Sequence, residues 1–107
     1  MFQLGPYRNL RGLDLTGQAT GGLVSLTGES DGPPLPAGGP ISDMVTGLNS
    51  CVAILAALTG KMRNSSSPSQ TTIDVSLVAS TISALTVEAT SYLNTGEAPT
   101  RHGSAWF

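Results

Sequence analysis

The chain has 107 residues and a formal net charge of −2, and only 11% of its residues are charged, less than half of the roughly 25% usual in soluble domains. Five lysines and arginines against seven acidic residues form no basic stripe, which excludes a typical nucleic-acid-binding module. The longest unbroken apolar run, residues 51–58, is too short to cross a membrane, and one cysteine with one histidine cannot form a Cys/His zinc site, so neither a membrane partner nor a metal is expected.

The first helix is predicted over residues 14–27, after a loop over residues 1–12 that contains a Gly-Pro turn signal. Asp14 is placed as the N-cap of this helix. Three glycines lie within it, and each weakens an isolated helix by up to about 1 kcal/mol. The helix is therefore expected to depend on close packing against another backbone. Its apolar face is formed by Leu15, Ala19, Gly22, Leu23 and Leu26.

The strongest helical pattern covers residues 43–60 and follows a Gly/Pro-rich loop over residues 28–41. The residues opposite its apolar stripe are small, so the helix is predicted to be central and covered on both faces, with Cys51 as a small buried residue. The stripe consists of Met44, Leu48, Cys51, Val52, Leu55 and Leu58.

A Ser-rich connector over residues 61–70 leads to a β-branched, alternating segment over residues 71–76, which predicts a short strand. A third helix is predicted over residues 77–94, followed by a tail over residues 95–107. One strand cannot form a sheet alone. The expected class is therefore α/β, mostly helical here, with the pairing strand outside these residues.

Asp43 is the leading candidate for chemistry, because a carboxylate in the first turn of a helix lies beside free N–H groups and the positive end of the helix dipole. The preceding glycine-rich loop would let a substrate approach. The alternative is that Asp43 only stabilises the helix end. The sequence pattern predicts no catalytic triad around His102, which is interpreted as a surface histidine. Asp74 is interpreted as a polar residue at the strand end. No phosphate-binding glycine motif of the P-loop or dinucleotide type is present.

Several short motifs occur in an order that resembles the class III coenzyme A transferases, the CaiB/BaiF family, from about residue 5 to residue 105. The first group of motifs comprises Gly12-Leu13-Asp14-Leu15, Gln18-Ala19, Gly22-Leu23, Leu26-Thr27-Gly28 and Asp31-Gly32-Pro33-Pro34. The second comprises Gly38, Asp43, Thr46-Gly47-Leu48, Ala53-Ile54-Leu55-Ala56-Ala57-Leu58, Ile73-Asp74-Val75-Ser76-Leu77 and Tyr92-Leu93-Asn94-Thr95-Gly96. Each motif is weak singly, and their joint order carries the resemblance.

The resemblance implies part of a Rossmann-like large domain in an enzyme whose two chains interlock as a homodimer. The implied substrates are an acyl-CoA and a carboxylic acid acceptor, with no metal. Asp43 falls at the position of the family's nucleophilic aspartate, which implies covalent catalysis through an aspartyl mixed anhydride and an aspartyl-CoA thioester.

The same resemblance makes Arg11, Leu13 and Asp14 candidate contacts of coenzyme A, with Gln18 one turn further along the helix near the same site. Family members usually carry an aromatic residue or histidine at the position of Leu13, and in the acyl-CoA racemase branch that histidine is the catalytic acid/base. Leu13 therefore favours the transferase branch, with the racemase branch as an alternative.

The chain also departs from the family pattern. Its connector after the central helix is longer and richer in serine, and its tail lacks the expected His-Pro-like continuation. About a quarter of a family chain is expected to be present, judged from usual domain sizes. A catalytically inactive member, or an interaction fragment that docks on an intact member, is therefore a second hypothesis, and an unrelated helical domain a third. The expected location is the cytoplasm, with the mitochondrion as the alternative.

Overall fold

The fold is described by a computed structural model for residues 5–63 and 72–105. These residues form five α-helices. The helices are α1 (Asp14–Thr20), α2 (Leu23–Leu26), α3 (Ile41–Arg63), α4 (Leu77–Ala84) and α5 (Thr86–Thr95).

The predicted helix over residues 14–27 is divided into α1 and α2 at Gly21 and Gly22. Gly22 has a φ of 93°, a left-handed conformation that glycine adopts readily because it lacks a Cβ atom. The N-cap prediction is wrong: Leu13 is the N-cap of α1, and Asp14 is its first helical residue. The Asp14 carboxylate therefore does not cap α1 and can accept a hydrogen bond from a different helix.

Helix α3 is longer than predicted, because it begins at Ile41 and continues through the first three residues of the expected connector to Arg63. Asp43 lies in its first turn and Lys61 and Arg63 in its last. Charges of these signs at these ends complement the helix dipole, which favours the added turn. The rest of the connector, residues 64–70, lies outside the described residues.

The predicted strand over residues 71–76 is wrong. Residue 71 is not described, and residues 72–76 form neither a helix nor a strand and pair with no other part of the described chain. β-branched alternation favours an extended backbone, but a strand also needs a neighbour that completes its hydrogen-bond ladder. The segment ends at Ser76, whose Oγ accepts a hydrogen bond from Ala79 N at 3.3 Å and caps α4.

The predicted helix over residues 77–94 is divided into α4 and α5 at Leu85, whose backbone (φ −102°, ψ 40°) leaves the helical region. α5 ends at Thr95, and the following Gly96 has a φ of 74°, the left-handed conformation common after helix ends.

The core lies where α1, α3 and α4 meet, and it is built from small residues. A Cβ added to Gly17 would lie 2.9 Å from Leu77 Cγ, and one added to Gly21 would lie 2.6 Å from Thr81 Cγ2. The expected close packing of this segment is therefore found at Gly17 and Gly21, against side chains of α3 and α4 and not against another backbone. The buried residues include the apolar Leu77 and Val78 and the polar Gln18, Ser42, Ser80 and Thr81.

The prediction that the long helix is covered on both faces is wrong for the described residues. Within α3, Ser42 is buried, whereas Cys51 is exposed. The apolar stripe faces outward because α1 and α4 cover the opposite, small-residue side of the helix. All of its members are exposed: Met44, Leu48, Cys51, Val52, Leu55 and Leu58.

By length and composition alone, α3 could also cross a membrane: its most apolar 18-residue window has a mean hydropathy of 1.6 and is 6% buried. The unbroken apolar run of α3 is short, but the helix as a whole is apolar because its glycine, serine and threonine residues add little polarity. Core helices of soluble proteins have the same character, so the expectation of no membrane partner stays a prediction.

Candidate active site

Asp43 lies in the first turn of α3 with its side chain exposed. Its backbone N–H donates a hydrogen bond of 3.2 Å to Asp14 Oδ1, across from α1. Within the described part of the chain, no hydrogen bond reaches the Asp43 carboxylate itself. The helix end is thus held by its backbone, while the carboxylate remains available to an incoming molecule.

Asp14 and Gln18 form a pair one turn apart on α1. Gln18 Nε2 donates to Asp14 Oδ2 at 2.7 Å, which leaves Asp14 Oδ1 directed at the Asp43 N–H. Because one carboxylate accepts from both partners, it links the side chain of α1 to the first turn of α3. An acceptor supplied by another element thus satisfies one of the N–H groups that a helix leaves unpaired at its start.

Gln18 also anchors the loop that leads into α3. Its Nε2 donates to Gly39 O at 3.0 Å, and its Oε1 accepts from Ala37 N at 2.9 Å. Gly38 and Gly39 have nothing within 4 Å of the position a Cβ would occupy, so a molecule can approach this backbone closely. Three sequence-predicted residues, Asp14, Gln18 and Asp43, are therefore brought together by hydrogen bonds.

Ser42 and Thr81 hold the same end of α3 against α4, and the sequence argument assigned neither a role. Their hydroxyl groups share a hydrogen bond of 2.8 Å, and Ser42 is 0% exposed. A small polar residue beside a helix start gives no sign of burial, because serine is equally common as an exposed cap. Only the packing of α4 shows its role.

Arg11 and Leu13 lie in the segment that leads into α1, and both are exposed. Leu13 is 62% exposed. Among the described residues, no hydrogen bond joins either side chain to Asp43. Arg11 and Leu13 are therefore close to Asp14 in the sequence and accessible at the surface. Within the described chain, no hydrogen bond connects them to Asp43, the candidate nucleophile.

The remaining polar candidates lie apart from this cluster. His102 is exposed in the tail, and Asp74 is exposed in the segment before α4. Arg101, which the sequence argument did not single out, ties the tail to the 25–32 region. Its guanidinium donates to three backbone carbonyls, those of Ser25, Glu29 and Gly32.

Two clefts in the described chain lie away from Asp43. One, of about 380 Å³, lies between α5 and the tail near His102. The other, of about 250 Å³, is mostly apolar and lies between α2, α4 and α5. The candidate site lies at the start of α3, beside the open backbone of Gly38 and Gly39. No cluster of metal-ligating side chains is found among residues 5–63 and 72–105.

Comparisons with known sequences give a consistent assignment. The family model described as CoA-transferase family III matches residues 2–106. The chain is 38% identical over 103 residues to a succinate–glutarate CoA-transferase of Agrobacterium fabrum, covering 96% of this chain and 25% of that protein. It is 34% identical to a succinyl-CoA:glutarate CoA-transferase of Mus musculus, covering 96% and 23%. The chain therefore spans about a quarter of the length of these relatives.

A solved structure agrees with the sequence matches. The fold superposes on the crystal structure of a CaiB/BaiF family protein from Brucella suis with a TM-score of 0.86 and 36% identity, covering 94% of this chain and 26% of that one. The family model matches nearly the whole chain, residues 2–106. The chain belongs to the CoA-transferase family III.

Proposed function

We propose that the protein containing this chain transfers coenzyme A between carboxylic acids, with Asp43 as the nucleophile. The observation that carries the proposal is the state of Asp43: its backbone is fixed by Asp14, and its exposed carboxylate has no hydrogen-bond partner in the described chain. A fixed backbone with a free carboxylate is what an attacking group requires, because orientation lowers the barrier without blocking the reacting atom.

The proposed reaction begins when an Asp43 carboxylate oxygen attacks the thioester carbonyl of the donor acyl-CoA. The C–S bond breaks, the coenzyme A thiolate leaves, and an acyl–aspartyl mixed anhydride forms. The thiolate then attacks the side-chain carbonyl carbon of Asp43 (Cγ), which releases the donor acid as a carboxylate and leaves an Asp43–CoA thioester.

The second half repeats this chemistry with the acceptor. The acceptor carboxylate attacks the Asp43 carbonyl carbon and displaces the thiolate, giving a new mixed anhydride. The thiolate then attacks the acceptor's acyl carbon, which forms the new acyl-CoA and restores the Asp43 carboxylate. No redox change or net proton transfer is needed.

The start of α3 suits these steps. Negative charge develops on carbonyl oxygens at each attack, and the N-terminal end of a helix stabilises negative charge nearby. The open backbone at Gly38 and Gly39 gives the substrate room beside Asp43.

The proposal also includes the surface next to Asp43, where the family resemblance implies contacts to coenzyme A. Arg11, Leu13 and Asp14 are proposed as coenzyme A contacts, with Gln18 close to them, within the large Rossmann-like domain of an interlocked homodimer. Leu13 supports transfer over racemisation, because a leucine side chain has no group that exchanges a proton. The 62% exposure of Leu13 is compatible with a contact to a bound coenzyme.

The test uses the full-length protein incubated with succinyl-CoA, the donor in the name of the mouse relative. Hydroxylamine is added during turnover, and the peptide containing Asp43 is analysed by mass spectrometry. We expect a hydroxamate at Asp43, because hydroxylamine opens the aspartyl-CoA thioester. Asp43→Asn should abolish both adduct and transfer, whereas Asp31→Asn, at an exposed loop position, should retain both.

Turnover by the wild type without modification at Asp43 would contradict the nucleophile assignment. Absence of both turnover and adduct, with several acyl-CoA donors, would instead favour the non-catalytic alternative.

A further inference from the structure

The Gln18 side chain is 1% exposed, and both its amide nitrogen and its amide oxygen form hydrogen bonds. Both hydrogens of its amide are used, one on Asp14 Oδ2 and one on Gly39 O, and its oxygen accepts from Ala37 N. A buried amide with no remaining donor has little to offer a ligand, so its contribution is made to the protein around it.

The three partners of Gln18 control the surroundings of Asp43 from two directions. Ala37 and Gly39 belong to the loop that enters α3 within a few residues. Asp14 binds the Asp43 N–H directly, and its other carboxylate oxygen is held by Gln18. One side chain thus sets both the approach of the loop and the orientation of the carboxylate that fixes the first turn of α3.

We propose that Gln18 is a positioning residue that acts on Asp43 through Asp14 and through the Ala37–Gly39 backbone, without contacting coenzyme A. Its role in catalysis rests on the proposed function above. Its structural role does not, and this difference makes the two separable by experiment.

The main variant is Gln18→Glu in the full-length protein, which keeps size and the acceptor for Ala37 N but places carboxylate oxygens against Asp14 Oδ2 and Gly39 O. Gln18→Asn, whose shorter side chain cannot span the same partners, is the milder second variant. Asn94→Asp is the matched control, since that amide is exposed and donates within α5 to Thr90 O.

Three measurements are made on each variant: kcat and KM for transfer, the dissociation constant of coenzyme A alone, and hydrogen exchange of the peptide over residues 36–44. We expect kcat to fall about tenfold to a hundredfold in Gln18→Glu, since hydrogen bonds at a buried polar group are lost. Coenzyme A affinity should stay within about twofold, and exchange over residues 36–44 should accelerate. Asn94→Asp should match the wild type in all three.

A donor–acceptor exchange tests the route through Asp14. In the double variant Asp14→Asn with Gln18→Glu, an amide at position 14 can donate to the new carboxylate and still accept from Asp43 N. We expect its kcat to exceed the product of the two single effects by about tenfold, a coupling typical of contacting residues.

The proposal would be overturned if the effects of Asp14→Asn and Gln18→Glu on kcat simply multiplied in the double variant. It would also be overturned if a Gln18 variant weakened coenzyme A binding in proportion to its loss of kcat/KM, because Gln18 would then be a coenzyme contact. Unchanged exchange over residues 36–44 in Gln18→Asn would also overturn it. If the wild type forms no adduct at Asp43, the proposed function fails, and the exchange measurement still decides the role of Gln18.

Discussion

Arg101 and Arg11 have the same guanidinium group but opposite surroundings. Arg101 is half-buried, and its three donors meet the carbonyls of Ser25, Glu29 and Gly32. Arg11 is exposed, and the described chain supplies it with no hydrogen-bond acceptor. A guanidinium engaged with backbone carbonyls stabilises the fold, whereas a free one can bind the phosphate groups of a ligand.

This contrast predicts separable effects of two alanine substitutions in the full-length protein. Arg101→Ala should lower the free energy of unfolding by about 1–2 kcal/mol and leave coenzyme A affinity unchanged. Arg11→Ala should change stability by less than about 0.5 kcal/mol and weaken coenzyme A binding about fivefold to tenfold. Urea unfolding and titration with coenzyme A measure the two quantities. Equal coenzyme A affinity in Arg11→Ala and wild type would remove Arg11 from the proposed site.

Among single residues, the sequence identified Asp43 and Asp14 but not how they are connected. The helix-start pattern placed Asp43 correctly in the first turn. Asp14 was predicted as the N-cap of its own helix, but it is the first residue of α1 and its carboxylate accepts from the first turn of α3, because capping rules consider only local sequence. Its acceptor oxygen is used 29 residues away, a contact that no local rule describes.

At the scale of elements, glycine has two different roles in these helices. Gly17 and Gly21 lie on α1 and at its end, where Leu77 Cγ and Thr81 Cγ2 would be 2.9 Å and 2.6 Å from an added Cβ. Gly47, inside α3, has nothing within 4 Å of that position. The first two are required by packing, and the third only weakens its helix.

Alanine substitutions at these two kinds of position should therefore change the free energy of unfolding in opposite directions. Gly17→Ala and Gly21→Ala are expected to destabilise the chain by about 1–3 kcal/mol through overpacking. Gly47→Ala should stabilise it by about 0.5–1 kcal/mol, because alanine is the better helix former. Urea unfolding of the 107-residue chain measures all three. A destabilising Gly47→Ala would show that another segment packs against this face of α3.

The type of an element was predictable where a helical spacing of apolar residues continued over several turns. The predicted helix boundaries were wrong where a single residue leaves the helical conformation. The positive φ of Gly22 and the non-helical ψ of Leu85 divide two predicted helices. The strand over residues 71–76 failed for a different reason, since alternation describes one strand and a sheet needs two.

At the scale of the whole molecule, the chain exposes more surface than its mass requires. Its accessible area is 7809 Å², against about 5,600 Å² for a compact monomer of this mass. Part of the excess is the apolar stripe of α3, in which Leu48 and Leu55 are 66% and 63% exposed. Apolar patches of this kind promote association in water.

We expect the 107-residue chain to self-associate through this stripe and to bind a hydrophobic fluorescent dye. Leu55→Lys should reduce both signals, because it places a charge within the stripe at an exposed position. Ala56→Lys, about 100° around α3 from Leu55 and also exposed, adds the same charge outside the stripe. Analytical ultracentrifugation and dye fluorescence measure the outcome, and equal effects of the two lysines would mean that net charge alone governs association.

The sequence by itself determined the helical segments, the dependence of the first helix on close packing, the position of Asp43 in a first turn and the resemblance to the CoA-transferase family. These depend on local spacing, composition and short motifs. The tertiary structure decided that Asp14 serves α3, that the buried Gln18 joins α1 to the loop before α3, and that the apolar side of α3 faces outward. Those facts depend on contacts between residues far apart in the chain, where hydrogen bonding and burial are settled by which helices meet.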